Sequence, residues 1–305
     1  MHIDKLIDSI KQKQNPTVVG LDPKLEYVPD FILNNSFDKF GKSLEGAADA
    51  IWEFNKALID QLYDIVPAVK PQSAYYEMYG WQGVQAFFKT IQYAKQKGLF
   101  VIADVKRNDI GSTAAAYATA YLGFTDVAGQ KIAVFDADAA TVNAYLGLDG
   151  VQPFLEHNKT IFVLVKTSNP SSGQLQDLAF GDKTLYQNVA ELIKDWGSNY
   201  VGKYGFSNVG AVIGATYPQQ LETLRKSMPN TFFLVPGFGA QGAGADEIIG
   251  AFNTNGLGAI INSSRSIICA YKNKNCMQQD FAMAAREEAI KMRDDIIKAL
   301  GGGTL

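Results

Sequence analysis

Residues 100–109 read Phe-Val-Ile-Ala-Asp-Val-Lys-Arg-Asn-Asp, an apolar run that passes directly into charged residues. The apolar part is continuous rather than alternating, which is typical of a strand buried on both faces in a parallel sheet covered by helices. Runs of the same kind recur along the chain. They predict strands at residues 17–21, 65–69, 100–104, 139–142, 161–165, 209–213, 232–235 and 259–261.

Stretches with helical periodicity lie between these runs. Ile51, Phe54, Leu58 and Leu62 illustrate the spacing, which places apolar side chains on one face of a helix. Helices are predicted at residues 44–63, 83–97, 185–196, 219–226 and 278–300.

About eight strand–helix units in a chain of 305 residues predict an α/β protein with the fold of a (β/α)8 TIM barrel. We expect a single domain over residues 1–305, with an N-terminal helix and a short, frayed tail at residues 301–305. A doubly wound open sheet is the alternative. Its glycine-rich turn after the first strand is missing, because residues 19–23, Val-Gly-Leu-Asp-Pro, contain one glycine.

The composition argues against several classes of function. A net charge of −3 gives no basic excess for binding nucleic acid. Two histidines are too few for a histidine-built metal site, and they argue against a serine–histidine nucleophile. Cys269 and Cys276 do not make a disulfide scaffold, and we interpret them as reduced thiols of a cytoplasmic protein. Residues 1–14 lack the apolar core of a signal peptide, and no apolar run reaches the roughly 18 residues of a membrane span.

Charged side chains follow two of the predicted strands, at the face where a barrel carries its active site. Asp104 and Lys106 are two residues apart at the end of the third strand, so the period of a strand puts both on one face. Lys70 ends the second strand in the same way, and Asp109 follows in the loop or the first helical turn. Solvated charges at a surface strand end explain any one of these residues, but they explain the whole set less well.

A lysine between carboxylates favours its ammonium form, because nearby negative charge stabilises it. We therefore expect Lys106 to be a proton donor rather than a nucleophile. A Schiff-base lysine requires the opposite environment, which argues against a class I aldolase. A fixed ammonium also stabilises a carbanion that forms beside it. This is the chemistry that a decarboxylase without a cofactor requires.

The charged cluster is part of a longer pattern that covers most of the chain. Its segments are 19–23 (Val-Gly-Leu-Asp-Pro), 69–71 (Val-Lys-Pro), 103–113 (Ala-Asp-Val-Lys-Arg-Asn-Asp-Ile-Gly-Ser-Thr), 165–170 (Val-Lys-Thr-Ser-Asn-Pro), 236–242 (Pro-Gly-Phe-Gly-Ala-Gln-Gly) and 264–265 (Ser-Arg). Together they resemble the signature of the orotidine 5'-phosphate decarboxylase family, and Lys-Thr-Ser-Asn-Pro resembles its longer, type 2 branch. The resemblance implies a carboxy-lyase that converts orotidine 5'-phosphate (OMP) to UMP and carbon dioxide in pyrimidine biosynthesis, without cofactor or metal.

The resemblance also implies roles within the charged cluster. Lys106 would protonate C6 of the pyrimidine after carbon dioxide leaves, and Asp104 would lie against the substrate carboxylate. Lys70 and Asp109 would complete an alternating array of charges.

Further implied roles concern the ribose and the subunits. Asp22 would bind the ribose hydroxyls. The family implies a homodimer with active sites at the interface, in which Asp109 and Thr113 reach the site of the neighbouring subunit.

Two loops at the same end of the predicted barrel form a candidate phosphate site. Residues 236–242 are glycine-rich and follow the seventh strand, residues 262–265 follow the eighth, and barrels often bind phosphate between these loops. Glycines let backbone N–H groups approach an anion, and the guanidinium of Arg265 is able to hold it through two hydrogen bonds. The resemblance implies that Gln241 and Arg265 contact the phosphate. We count Pro236, Gly239 and Ser264 as further substrate-binding residues.

Ser168 ends the fifth strand, and the resemblance implies that it contacts the base. Residues 170–183 follow it as a polar stretch that we interpret as a lid over the substrate. An ordinary surface loop explains the outer part of this stretch equally well.

Two other functions are alternatives. A magnesium-dependent sugar-phosphate decarboxylase or aldolase of the same barrel superfamily shares the Asp-x-Lys-x-x-Asp motif. Such a site needs additional carboxylates at neighbouring strand ends, and Lys70 opposes a metal there. A non-catalytic barrel that binds a phosphate ligand is expected to lack Lys106 or its partners, and all of them are present.

Overall fold

Eight parallel strands form a closed barrel, as the sequence predicts. The computed structural model describes residues 1–239, 244–273, 276–303 and 305. The strands are β1 Thr17–Leu21, β2 Ala68–Pro71, β3 Phe100–Arg107, β4 Phe124–Val127, β5 Gln130–Ala133, β6 Ala139–Val142, β7 Thr160–Lys166, β8 Ala179–Phe180, β9 Lys183–Thr184, β10 Val209–Ile213, β11 Phe233–Pro236 and β12 Ala259–Ser263. Strands β1, β2, β3, β6, β7, β10, β11 and β12 make the barrel in chain order, and β12 pairs with β1 to close it. The pairs β4–β5 and β8–β9 are separate antiparallel hairpins.

Helices surround the barrel and connect its strands, which completes a single α/β domain with the TIM-barrel fold. They are α1 Ile3–Lys13, α2 Asp30–Phe40, α3 Leu44–Leu62, α4 Ala74–Glu77, α5 Gly80–Gln96, α6 Gly111–Leu122, α7 Gln152–Leu155, α8 Gly173–Gln176, α9 Leu185–Gly197, α10 Pro218–Ser227, α11 Ala245–Ile248, α12 Arg265–Ile268, α13 Ala270–Asn273 and α14 Phe281–Ala299. Within the described part of the chain, none of these helices has the length and apolar character needed to cross a membrane.

Two apolar cores lie on opposite sides of the barrel wall. Side chains alternate between the two sides along each strand, as a period of two requires. In β3, Phe100 and Ile102 belong to the interior core, whereas Val101 and Ala103 pack towards the helices. A strand that is apolar at every position is therefore explained by burial on both faces.

Helix α1 closes the amino end of the barrel. Ile3, Leu6, Ile7 and Ile10 recur at helical spacing, are buried, and belong to the same cluster as the interior side chains. The backbone N–H of Ile3 donates to the side chain of Asn208, which fixes the start of the helix against the barrel. The interior core is thus sealed from solvent at this end by a helix outside the eight strand–helix units.

The prediction that residues 301–305 form a frayed tail is wrong for the last residue. Leu305 is buried against the interior core. Its backbone N–H donates to the side chain of Gln14 at 2.9 Å, and its carbonyl accepts from the same side chain at 3.3 Å. Apolar contact and two hydrogen bonds therefore hold Leu305 against the end of α1.

The predicted bounds of the second strand are also wrong. The predicted strand at residues 65–69 starts three residues before β2. The reason is that residues 65 and 66 still belong to the turn that ends α3. The N–H groups of Ile65 and Val66 both donate to the carbonyl of Leu62. By contrast, β1, β6 and β10 have the predicted bounds.

Leu6→Ala should lower the free energy of unfolding by about 2–5 kcal/mol, because it leaves a cavity between α1 and the barrel interior. Chemical denaturation measures this difference. Lys5→Ala, on the exposed face of the same helix, should change it by less than about 0.5 kcal/mol. Equal effects of the two substitutions would show that α1 does not seal the core.

Candidate active site

The carboxyl ends of the barrel strands bring three polar side chains to one level of the interior. Lys70, Asp104 and Thr141 each follow, by two residues, a side chain of the interior core. Strand alternation therefore points all three into the mouth of the barrel rather than towards the helices. All three are buried in the described structure.

Asp104 is the centre of this group. Its Oδ2 accepts from Lys70 Nζ at 2.6 Å, and its Oδ1 accepts from Lys106 Nζ at 2.5 Å. The hydroxyl of Thr141 also donates to Oδ1, at 2.9 Å. Asp22 approaches from β1, with its Oδ1 4.0 Å from Lys70 Nζ. Lysine and aspartate charges therefore alternate across the mouth.

The pKa values of the buried pair move apart. Burial alone would lower the pKa of Lys70, but the carboxylates of Asp104 and Asp22 raise it above its ordinary value. Burial alone would raise the pKa of Asp104, but Lys70 and Lys106 hold it well below its ordinary value. Both groups are therefore charged at neutral pH.

Lys106 differs from Lys70 in its access to solvent. Its side chain is 44% exposed, against 6% for Lys70. The predicted proximity of Asp104 and Lys106 is confirmed, but a regular strand does not produce it. Lys106 has a φ of +47°, and the pairing of β3 with β6 shifts register between Ala103 and Arg107. A bulge at the strand end therefore aims the Lys106 side chain.

Two adjoining hollows open on either side of Lys70, Asp104 and Pro236. The first, of about 200 Å³, has an apolar wall formed by Leu164, Val212 and Leu234. The second, of about 460 Å³, is polar and extends towards β1 and β12. It is lined in part by Asp22, Asn262, Ser264 and Arg265. The two hollows together suit a ligand that has a ring near Lys106 and a charged group near Arg265.

The described residues of the two predicted phosphate loops lie together at the polar hollow. Arg265 is the first residue of α12, and Pro236 ends β11. Ser264 lies so close to β1 that a Cβ on Gly20 would come within 1.9 Å of its hydroxyl oxygen, so this approach requires glycine. Gly239 has a φ of +74° in the loop after β11. Gln241 lies outside the described residues.

Ser168 lines the apolar hollow. Its backbone crosses the end of β10, where a Cβ on Gly214 would come within 2.8 Å of Ser168 N. The stretch after it has more regular structure than a loop. It contains a 3₁₀ turn at Pro170–Ser172, then α8, and then the β8–β9 hairpin.

Lys166 shows that a lysine at a strand end does not by itself belong to the site. Its ammonium pairs with Asp177 at 2.7 Å and lies 5.0 Å from the centre of the Tyr217 ring. The pairing of β7 with β10 shifts register beside it, which turns the side chain away from the mouth. This ion pair instead ties the segment after Ser168 to the outside of the barrel.

Asp109 and Thr113 are not brought into the charged cluster of their own chain. The carboxylate of Asp109 accepts from the neighbouring N–H of Ile110, and Thr113 is exposed in the first turn of α6. The structure places both beyond the mouth, beside Lys106 in sequence but outside the two hollows.

The sequence did not distinguish Thr141 from ordinary barrel packing, and it did not single out the apolar wall. A signal was present, because Thr141, Leu164, Val212 and Leu234 each follow a buried interior residue by two positions or continue that alternation. Extending the period of two along the predicted strands locates these four residues.

Comparison with known proteins gives one consistent result. The model of the "Orotidine 5'-phosphate decarboxylase / HUMPS family" matches residues 17–279. A relative from Caldicellulosiruptor saccharolyticus, an orotidine 5'-phosphate decarboxylase, is 42% identical over 301 residues, covering 97% of this chain and 98% of the relative. The enzyme of the same name from Rhodopirellula baltica is 46% identical over 275 residues, covering 89% and 87%. The structure of Leishmania donovani OMP decarboxylase superposes with a TM-score of 0.75 at 31% identity, covering 99% of each chain.

The barrel, the charged mouth and these relatives define an enzyme of the carboxy-lyase class on a TIM-barrel scaffold. More specifically, the chain belongs to the orotidine 5'-phosphate decarboxylase family. Its length matches that of relatives aligned over 301 residues or more, which places it in the longer, type 2 branch.

Asp104→Asn should lower the free energy of unfolding by about 3–5 kcal/mol near pH 7, because it leaves the buried Lys70 ammonium without its close partner. The pKa of Asp104 lies below its ordinary 3.8 and that of Lys70 above its ordinary 10.5. The pair therefore stabilises the fold fully between these values. The deficit of the variant should be constant from about pH 5 to 9 and shrink below about pH 4.

Urea denaturation across this pH range tests the prediction, with Asp195→Asn as the matched control. This control makes the same chemical change at an exposed carboxylate on α9, so the expected loss is below about 0.5 kcal/mol. A deficit of Asp104→Asn that grows in acid would contradict the assigned charges.

Proposed function

We propose that the chain converts OMP to UMP and carbon dioxide directly on the pyrimidine ring, with Lys106 as the proton donor to C6. The overall reaction, a step of pyrimidine nucleotide biosynthesis, is that of the family to which the chain belongs. The observation that carries the mechanism is the Lys70–Asp104–Lys106 array, in which one buried carboxylate holds two ammonium groups at 2.6 and 2.5 Å.

The chemistry proceeds in two connected events. The bond between C6 and the carboxyl carbon breaks, the electron pair remains on C6, and carbon dioxide leaves into the apolar hollow. The ammonium of Lys106 stabilises the negative charge at C6 and then transfers its proton there, forming the C6–H bond of UMP. Asp104 lies against the departing carboxylate, Lys70 extends the array within the same chain, and the partner's Asp109 extends it across the subunit interface.

The rest of the nucleotide occupies the polar hollow. Arg265 holds the phosphate with Gln241, and Asp22 accepts from the ribose hydroxyls. The Oδ1 of Asp22 is buried without a hydrogen-bond partner among the described residues, so it is available to a ligand hydroxyl. Ser168 contacts the base. Backbone groups near Pro236 and Gly239, together with Ser264, complete the phosphate site.

The array supports a reaction without a metal or cofactor. Both oxygens of Asp104 already accept hydrogen bonds from ammonium groups, so this carboxylate is not available to coordinate a metal ion. A magnesium-dependent sugar-phosphate enzyme requires the opposite arrangement, with carboxylate oxygens directed at a cation. A non-catalytic barrel gives no reason to maintain the solvent-accessible ammonium of Lys106 beside a buried carboxylate.

Purified protein should convert OMP to UMP in excess EDTA, measured by the loss of pyrimidine absorbance. Lys106→Ala should lower kcat/KM by at least about 1000-fold, since it removes the proton donor. Lys194→Ala, on the exposed face of α9, is the matched control and should retain wild-type turnover. Failure of the intact protein to turn over OMP, or activity that depends on added magnesium, refutes the proposal.

We further propose a cytoplasmic homodimer of single-domain subunits covering residues 1–305, in which Asp109 and Thr113 serve the partner's site. Large apolar side chains are exposed in two segments of this region: Ile110, next to Asp109 in sequence, is 57% exposed, and Tyr145, five residues before Gly150, is 79% exposed. The turn at residues 148–150 adjoins this region, because Gly150 packs directly against Asn108. Exposed apolar surface next to an unused carboxylate suits a subunit interface.

Co-expressed Lys106→Ala and Asp109→Ala subunits, carrying different tags and isolated with both, should regain activity. Each isolated hybrid dimer then contains one intact site of two, so the purified hybrids should show about half of wild-type turnover. Lys106→Ala with Lys70→Ala is the control, because both residues pair with Asp104 of the same chain and no hybrid site is intact. Isolated hybrids without activity would refute the shared site.

A further inference from the structure

The end of β3 departs from regular pairing where the catalytic side chains lie. Ile102 and Ala103 pair with Ala139 and Ala140 of β6, and the next paired residue of β3 is Arg107, opposite Val142. Residues 104–106 therefore face a single residue of β6, which is Thr141. Lys106 adopts a left-handed backbone conformation, which a lysine does not adopt without surrounding support.

The hydroxyl of Thr141 supplies that support. It accepts from the backbone N–H groups of Val105 and Lys106, both at 2.9 Å. It also donates to Asp104 Oδ1 at 2.9 Å. A hydroxyl has one donor and two acceptor positions, so all three are used. Thr141 is 1% exposed, and water therefore does not replace these contacts.

We infer that Thr141 is a positioning residue for the decarboxylation: its hydroxyl fixes the bulge that aims the Lys106 ammonium. The inference rests on the proposed function. Without the hydroxyl, two buried N–H groups lose their acceptor and Asp104 loses a donor, so the bulge relaxes and the ammonium moves away from C6. Thr141 contacts the carboxylate of Asp104 and the backbone of Lys106, and it does not line the polar hollow proposed for the phosphate and ribose.

The location of Thr141 predicts which kinetic parameter changes. It lies on β6, the fourth barrel strand, whereas the polar hollow lies at β1, β11 and β12 across the mouth. Loss of the hydroxyl should therefore lower the rate of the chemical step and leave nucleotide binding nearly unchanged. A structural defect of the whole barrel would weaken both.

Three variants separate these possibilities. Thr141→Val keeps the shape and removes the hydroxyl, and Thr141→Ser keeps the hydroxyl. Thr160→Val is the matched control, because Thr160 is a buried threonine at the start of the adjacent strand β7 whose hydroxyl has no partner among the described residues. If Thr141→Val does not fold, Thr141→Ala replaces it, since the smaller side chain admits water to the freed groups.

The measurements are kcat for OMP, the affinity for UMP by calorimetry, and exchange of the UMP C6 hydrogen in D₂O by NMR. Exchange reports proton transfer at C6 alone, because the reverse of protonation removes that hydrogen. Thr141→Val should lower both kcat and the exchange rate about 10- to 100-fold, as expected for a displaced catalytic group. UMP affinity should stay within about threefold, and Thr141→Ser should recover most of the loss.

Three results overturn the inference. They are a kcat of Thr141→Val within about threefold of wild type, a loss of UMP affinity parallel to the loss of kcat, and an equal effect of Thr160→Val. Wild-type turnover is measured in the same series. Its absence refutes the proposed function and the inference together, whereas an active wild type with an equally active Thr141→Val refutes the inference alone.

Discussion

A single buried carboxylate, that of Asp104, pairs with two ammonium groups, and the site is arranged around it. Burial of an isolated charge costs several kcal/mol, so neither Lys70 nor Asp104 is stable at its position without the other. Lys70 is enclosed and keeps its proton through the two carboxylates beside it. Lys106 is the partner with access to the mouth. In the proposed mechanism, Lys70 therefore stabilises Asp104, and Lys106 is the residue that reacts.

The backbone makes this arrangement possible because the barrel is rigid below the bulge. Strand pairing is regular up to Ala103, and interior side chains fill the barrel beneath it. The left-handed backbone of Lys106 is tolerated because it lies at a strand end, where pairing is already irregular. The hydroxyl of Thr141 stabilises it through three hydrogen bonds, and the interior of a regular strand does not permit this conformation. In the proposed reaction, the negative charge that develops at C6 meets dipoles and charges that are already in place, which is the condition for electrostatic catalysis without reorganisation.

The sequence predicted the barrel because its strands are buried on both faces and leave continuous apolar runs. It also predicted Lys70 and Asp104 in the mouth, since both continue the interior alternation of their strands. It did not predict that bulges in two strands would have opposite effects on their lysines. The bulge in β3 keeps Lys106 at the mouth, and the bulge in β7 turns Lys166 away from it. Register shifts arise from contacts between strands, such as those of Thr141, which spacing along one strand does not contain.

The β4–β5 hairpin was missed for a different reason. Its residues are mostly exposed, so no buried run marks them. Its turn at Ala128 and Gly129 has positive φ at both positions. An Ala-Gly pair is a weaker signal for such a turn than Asn-Gly or Asp-Gly. The proposed role of Asp109 depends on a second subunit, and the sequence pattern implies it only through resemblance to a family.

The apolar wall of the first hollow connects the stability of the fold with its chemistry. Val212 and Leu234 are members of the interior core, and Leu164 packs against it, so the wall beside Lys106 is the upper surface of the packing that α1 closes below. A close-packed core does not deform to follow a ligand. In the proposed mechanism the wall excludes water from one side of the reacting carbon, and this low-dielectric surface strengthens the interaction of Asp104 with Lys106. Helix α1, at the far end of the barrel, contributes to that mechanism through this packing and not by contact with the charged side chains.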